Sequence, residues 1–278
     1  MWKTKSQCNI LLICCSIILV GANEEIYAQK FSLGLKGGGS INWAHFGEKG
    51  DKSNFSTRLK TGYSAGAFII FPVNKSVSFL AEGGYSKKGR KILSNENTWT
   101  NTTTYNMVDL SMYLRKSFSF HLKENIPAEW FFNVGPEINY IMNAHGNIKV
   151  EGPGYNYTVK FSNDSIQDFR YMNYMHANRW LFGLGIGVGC RLPITSKQHV
   201  TVELRYISGH TYLGKKGTGL VTTNANQGYS YINILGYDDT LKTNIKTISL
   251  TVAYVFDFDI QKGRMGKSTL DKVIKRKK

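Results

Sequence analysis

Seven charged residues, Lys36, Glu82, Asp109, Arg115, Glu137, Glu203 and Arg205, sit in stretches where roughly every second side chain is apolar. Three cations and four carboxylates sharing one interior can act in two ways. Paired and desolvated, they form an ion-pair network that fills the interior, because a buried charge must find a partner. Partly hydrated, they line a gated conduit or a proton relay. The near balance of signs favours the filling network.

Hydrolytic chemistry would need a nucleophile, a base and an orienting carboxylate. Ser208 and His210 lie close in sequence, and Asp238 and Asp239 follow in the next connection, but no second motif fixes their geometry. The histidines, His45, His121, His145, His176, His199 and His210, show no His-x-His or His-x3-His spacing, so no metal site is expected. Gly37, Gly38 and Gly39 lead into no helix and no Gly-Lys-Ser/Thr, so no nucleotide loop is expected. The sequence therefore predicts neither an enzyme nor a cofactor. Asp164-Ser165-Ile166 and Asp239-Thr240-Leu241 resemble an Asp-Ser/Thr-aliphatic sequon, which makes Ser165 and Thr240 candidates for O-glycosylation.

The charges need elements to hold them. Between 179 and 191, Trp180, Phe182, Leu184, Ile186, Val188 and Cys190 alternate with Gly183, Gly185, Gly187 and Gly189. Successive side chains on a strand point to opposite faces, so this period of two reads as a strand with one greasy face and one bare face. Glycine weakens a strand interior, so four on one face imply larger neighbours lying across it. Glu203 and Arg205 on the next strand are the expected neighbours.

The same alternation marks seven more strands: Lys30–Ile41, Lys60–Phe71, Ser76–Lys87, Tyr105–Lys116, Trp130–Ile141, Val200–Ser208 and Asn244–Phe256. Their lengths suit tilted bilayer-crossing strands. Connections 72–75, 117–129 and 192–199 are short or modest, whereas 42–59, 88–104, 142–178 and 209–243 are long and polar. This alternation predicts an all-β fold, an eight-stranded antiparallel up-and-down transmembrane β-barrel, with periplasmic termini and long loops outside the cell. A soluble barrel would point its apolar face inward. Here the polar faces are rich in Gly and Ser, and the apolar faces carry aromatics near their ends, among them Phe31, Tyr63, Phe71, Tyr85, Trp130, Tyr140, Trp180, Tyr206, Tyr254 and Phe256. That is the pattern of membrane-interface girdles.

Lys3 and Lys5 precede an apolar run from Ile10 to Val20, which reads as a secretory signal peptide over 1–28. Residues 29–258 would then be the barrel and 259–278 a basic periplasmic tail. Removing the signal leaves Cys190 as the remaining cysteine, so no intramolecular disulfide is expected. The net charge of +16 is unevenly placed: residues 261–278 hold eight basic residues against Asp271, or +7, and residues 30–260 hold the remaining +9. For an exported protein this predicts lipid headgroups or polysaccharide as neighbours and no nucleic acid. With 28 Gly, 5 Pro and 13% aromatics, composition also favours β structure over helix.

Gly34-Leu-Lys-Gly-Gly-Gly-Ser40, Gly62-Tyr-Ser-Ala-Gly66, Leu80-Ala-Glu-Gly-Gly-Tyr-Ser-Lys-Lys-Gly89 and Asn133-Val-Gly-Pro-Glu137 resemble successive blocks of the PorT-like outer-membrane β-barrel family of Gram-negative bacteria, also termed the porin family. Across about residues 30–256 the resemblance implies a cell outer-membrane barrel with a link to protein secretion. The ending Tyr-Val-Phe-Asp-Phe resembles the last strand of proteins inserted by the barrel assembly machinery. The expected function is a non-enzymatic structural or accessory envelope protein, with external loops that bind an envelope or secretion partner. A narrow passive channel and a rim-located hydrolase are the alternatives.

Overall fold

Alternating polarity becomes strand wherever the two faces meet different surroundings, and here it does so around a closed ring. The computed structural model describes residues 30–47, 55–94, 99–123, 126–150, 154–161, 171–173, 177–214 and 243–259. Among these residues eleven strands run in chain order: β1 Lys30–Phe46, β2 Phe55–Arg58, β3 Lys60–Pro72, β4 Val77–Ser94, β5 Trp99–Lys123, β6 Ile126–Val150, β7 Tyr155–Lys160, β8 Tyr171–Asn173, β9 Trp180–Thr195, β10 Gln198–Gly209 and β11 Thr243–Asp259. Eight of them, β1, β3, β4, β5, β6, β9, β10 and β11, pair antiparallel in that circular order. β1 against β11, from Lys30↔Asp259 to Phe46↔Thr243, closes the ring. The signal segment, the basic tail, Ser165, Thr240, Asp238 and Asp239 lie outside the described residues.

The faces are inverted relative to a water-soluble barrel. Leu35, Leu110, Met112, Leu184 and Val252 stand exposed on the outside, with Leu35 at 67%. Ser40, Asn42, Glu82, Asn133, Arg205 and Thr247 are buried inside. Such a surface is stable only against hydrocarbon. Aromatic pairs flank this apolar band at both ends. Phe31–Phe258 and Phe120–Trp130 stack at the end where β1 begins, while Tyr63–Tyr85 and Tyr140–Trp180 meet at the other.

At the terminal end the connections are tight. The Asn74 side chain accepts hydrogen bonds from the backbone amides of Ser76 and Val77, at 3.0 and 2.8 Å, which folds the turn between β3 and β4. Ser196 and Lys197 alone separate β9 from β10. At the opposite rim the strands run longer than alternation of polarity suggested. β5 and β6 each have 25 residues, a reach of roughly 80 Å at about 3.3 Å per residue. A bilayer core is only about 30 Å thick, so both rise well beyond it.

At the rim β5 gains residues 99–104, a Thr-rich stretch whose β-branched side chains favour strands although their polarity resembles a loop. At the terminal end residues 117–123 of β5 and 126–129 of β6 take up most of the expected connection 117–129. The register of β5 with β6 shifts between Asn106 and Met107. Met142 takes up the extra residue, turning Ala144 and Ile148 inward. Together with β2, β7 and β8 these strands build a raised wall on one side of the rim. Inside it, Tyr105, Met107, Ile141, Ile148, Tyr157, Leu213 and Ile245 belong to one buried apolar cluster that draws residues from strands around the ring.

Candidate functional site

Below the apolar cluster the lumen changes to charge. β4 supplies Glu82, β10 supplies Glu203 and Arg205, β6 supplies Glu137 and Asn133, β5 supplies Ser111 and Tyr113, and β1 supplies Lys36. Arg205 is the hub. Its Nη1 and Nη2 donate to the two oxygens of Glu82 at 2.6 and 2.9 Å, and its Nε and Nη2 donate to Glu203 at 2.8 and 2.9 Å. Nη1 also lies 3.6 Å from Glu137 Oε1. Lys36 and Ser111 also donate to Glu82, both at the Oε2 that Arg205 Nη1 engages, Ser111 Oγ at 3.1 Å. The Tyr113 hydroxyl donates to Glu137, and its ring lies 4.2 Å beneath the Arg205 guanidinium.

The glycine stripe of β9 makes room for this layer. A Cβ added at Gly187 would overlap the Glu203 carboxylate, one at Gly185 the Tyr113 hydroxyl, and one at Gly189 the Phe131 ring. Of the two neighbours expected from sequence, Glu203 fills the space, whereas Arg205 is carried over Tyr113 instead. Tyr113 and Phe131 are large inward residues whose placement no charge pattern signals.

The seven residues singled out in sequence do not form one cluster. Lys36, Glu82, Glu137, Glu203 and Arg205 are brought together. Asp109 stands one layer towards the rim and pairs with Lys88 at 3.2 Å. Alternation ends the third strand at Lys87 and places Lys88 in the connection; in the structure Lys88 is a buried inward residue of β4. Arg115 makes no ion pair among the described residues. Its Nε donates to Asn133 Oδ1 at 2.9 Å, and Asn133 Nδ2 donates to Glu203 at 2.9 Å. The uncharged Asn133 thus joins the two, and only its place on the polar face of the strand could have suggested it.

The space left in the charged layer is about 50 Å³, lined by Lys36, Glu82, Asp109, Glu137 and Arg205 among others. That accommodates a few water molecules. On the terminal side Phe68, Ile70, Leu80 and Val255 form a second apolar cluster with Tyr113. Beyond it opens a pocket of about 460 Å³.

A polar cluster at this pocket had no counterpart in the sequence reading. Asp257 accepts Arg191 through both oxygens at 2.7 and 2.9 Å, Ser32 Oγ at 2.6 Å, and contacts His199 Nε2 at 2.6 Å. Its signal was the interruption of the aromatic ending of β11 by one carboxylate on the inward parity of Val255. The Ser and His both address the carboxylate and not each other, so the hydroxyl-to-imidazole contact of a nucleophilic triad is not made. Ser208 lies near the rim end of β10, and His210 follows it, its backbone amide bonded to Phe182 O at 2.8 Å.

Among solved structures, the chain is similar to the N-terminal β-barrel domain of Pseudomonas aeruginosa OprF at 7% identity, covering 83% of this chain and 98% of that one, with a TM-score of 0.37. It is similar to OprG from P. aeruginosa at 8% identity, covering 84% and 100%, TM-score 0.43. Neisserial surface protein A is similar at 11% identity, covering 84% and 100%, TM-score 0.37. No curated protein matches the chain. The model of the outer membrane protein beta-barrel domain matches residues 27–209, well over half of the sequence. The chain belongs to this family of outer-membrane β-barrels.

Proposed function

We propose that this protein is a closed, non-enzymatic envelope barrel of the PorT-like kind, acting as an accessory to protein secretion through a partner bound at its long connections. The observation that carries the closed reading is the Arg205 hub, which with Glu82, Glu203, Glu137 and Tyr113 leaves only about 50 Å³ of free space in the middle of the lumen. Eight-stranded barrels are just wide enough for side chains to fill them. A filled lumen directs function to the rim and the outer surface.

The termini are assigned to the periplasm because the tight turns at residues 73–76 and 196–197 lie at their end, and outer-membrane barrels keep short turns on that side. The raised wall of β2 and β5–β8 then stands outside the cell, where a partner would meet it. Outer-membrane lipid is the second partner. Beyond the Tyr63–Tyr85 pair the outward Lys87 and Lys91 stand near Lys60, close enough to repel its ammonium. The Lys60 stem lies where a Cβ on Gly89 would come within 2.6 Å of its Cε. Such lysines suit the phosphates of the outer leaflet. The aromatic ending of β11 suits insertion by the barrel assembly machinery.

Two experiments test this reading. Protease added to intact cells is expected to cut within residues 215–242 and to spare the tail after Asp259; the reverse pattern would invert the orientation. A deletion strain is expected to accumulate exported cargo in the periplasm, and normal export would remove the secretion role.

A further inference from the structure

Arg115 is only 4% exposed, yet no carboxylate lies within ion-pair distance of it among the described residues. Its guanidinium lies flat on the Phe131 ring at 3.9 Å, and Nε is used by Asn133. Because Asn133 stands between Arg115 and Glu203, the nearest counter-charge is held one side chain away. Among the described residues no acceptor meets its two terminal nitrogens, and the side chain lines the 460 Å³ pocket at the terminal end of the barrel.

The rest of the pocket suits the same kind of guest. Five cationic side chains, Lys30, Lys75, Arg115, Arg191 and Lys197, stand against three carboxylates, Glu129, Asp257 and Asp259, in its lining, and Ser78 and Ser117 contribute hydroxyls. Arg191 is already engaged by Asp257. A buried charge without a partner is costly. A guanidinium fork with two free parallel donors matches a carboxylate or phosphate. A volume of this size is typical of sites for small organic ligands and exceeds what a bare ion needs.

We propose that this pocket is a binding site for a small organic oxyanion, with the terminal nitrogens of Arg115 holding its phosphate or carboxylate group and the mouth lysines drawing it in. The site depends neither on whether the lumen conducts nor on which compartment it faces.

The test uses the full chain in detergent micelles, titrated by calorimetry with glycerol phosphate, inorganic phosphate and acetate. Arginine-labelled NMR on the unsubstituted protein reports which guanidinium responds. Saturable binding that shifts the Arg115 signal is expected, at least about tenfold weaker in Arg115→Met, as befits loss of a bidentate charged anchor. Tighter binding of glycerol phosphate than of acetate would assign a phosphate ligand, and the opposite order a carboxylate. Should Arg115→Met fail to fold, Arg115→Lys keeps the charge and stem without the fork and is expected to weaken binding severalfold. Lys75→Gln, on the exposed turn, is expected to weaken it less. No saturable binding, an unmoved Arg115 signal, or equal affinity in the folded Arg115 variants would overturn the proposal.

Discussion

Arg205 on β10 and Glu82 on β4 meet through two hydrogen bonds of 2.6 and 2.9 Å, although their strands stand four places apart in a ring of eight. The pair therefore spans the barrel, tying opposite walls through its centre. Glu203 and Glu137 approach the same guanidinium, and Lys36 the same Glu82 carboxylate, so the tie is a network and not a single bond. Buried ion pairs add little net stability over an apolar core, but breaking one leaves charges stranded.

Arg205→Met is thus expected to lower stability by about 3–5 kcal/mol. Urea titration of refolding into lipid vesicles measures it. Combining Arg205→Met with Glu82→Gln should cost less than the two single changes summed, because the stranded carboxylate is then removed as well. Additive costs would mean that the two residues are not coupled.

On β9, Gly185→Leu is expected to damage assembly far more than Ile186→Leu. The first drives a side chain into the Tyr113 hydroxyl, and overpacking costs about 1–3 kcal/mol or more. The second keeps the volume of a side chain that is 42% exposed on the apolar outside, and such swaps stay below about 1.5 kcal/mol. The folded fraction, read from the temperature-dependent gel mobility of the barrel, checks both. Equal tolerance would reverse the inside and outside of the strand.

These residues also show how far sequence carries. Alternation exposes Ile186 and hides Gly185 without any structure, and eight such stretches in antiparallel order yield the ring. Alternation cannot say what fills a glycine's space, because that depends on how the neighbouring strands, and for Gly185 the strand two places away, are staggered. Tyr113 and Phe131 are found only from the register. Nor does it mark the ends of β5 and β6, where Thr103 and Asn101 are buried although their polarity resembles a loop. Inward charge is readable residue by residue, but pairing is not. Arg115 has the same parity as Asp109, yet it lies nearer the terminal end, on the far side of Tyr113 from the carboxylates.

In the raised wall, the Tyr157 hydroxyl lies 2.8 Å from Thr103 Oγ1 and 2.7 Å from Asn101 Oδ1. Tyr157→Phe leaves buried polar groups without that partner, at a cost of about 1–3 kcal/mol. Because openings can be local, faster amide exchange is expected in β7 and the outer halves of β5 and β6, with the charged layer still protected. Uniform acceleration across the barrel would show that wall and barrel open as one unit.

On the outer surface, replacing Lys60, Lys87 and Lys91 together by Gln should weaken retention of phosphorylated lipid. Each lysine near an anionic surface contributes about 1 kcal/mol. Native mass spectrometry of the detergent-extracted protein counts the retained lipid. Unchanged retention would leave these lysines with solvent alone.

The central claim is that side chains close the lumen, and electrical conductance of the purified protein in a planar bilayer tests it most directly. The full chain is expected to insert and remain silent, with no steady current at moderate voltage. A stable, reproducible conductance whose ion selectivity changes in Glu137→Gln would contradict the account, since ions would then be passing through the layer that Arg205 and Glu82 are held to seal.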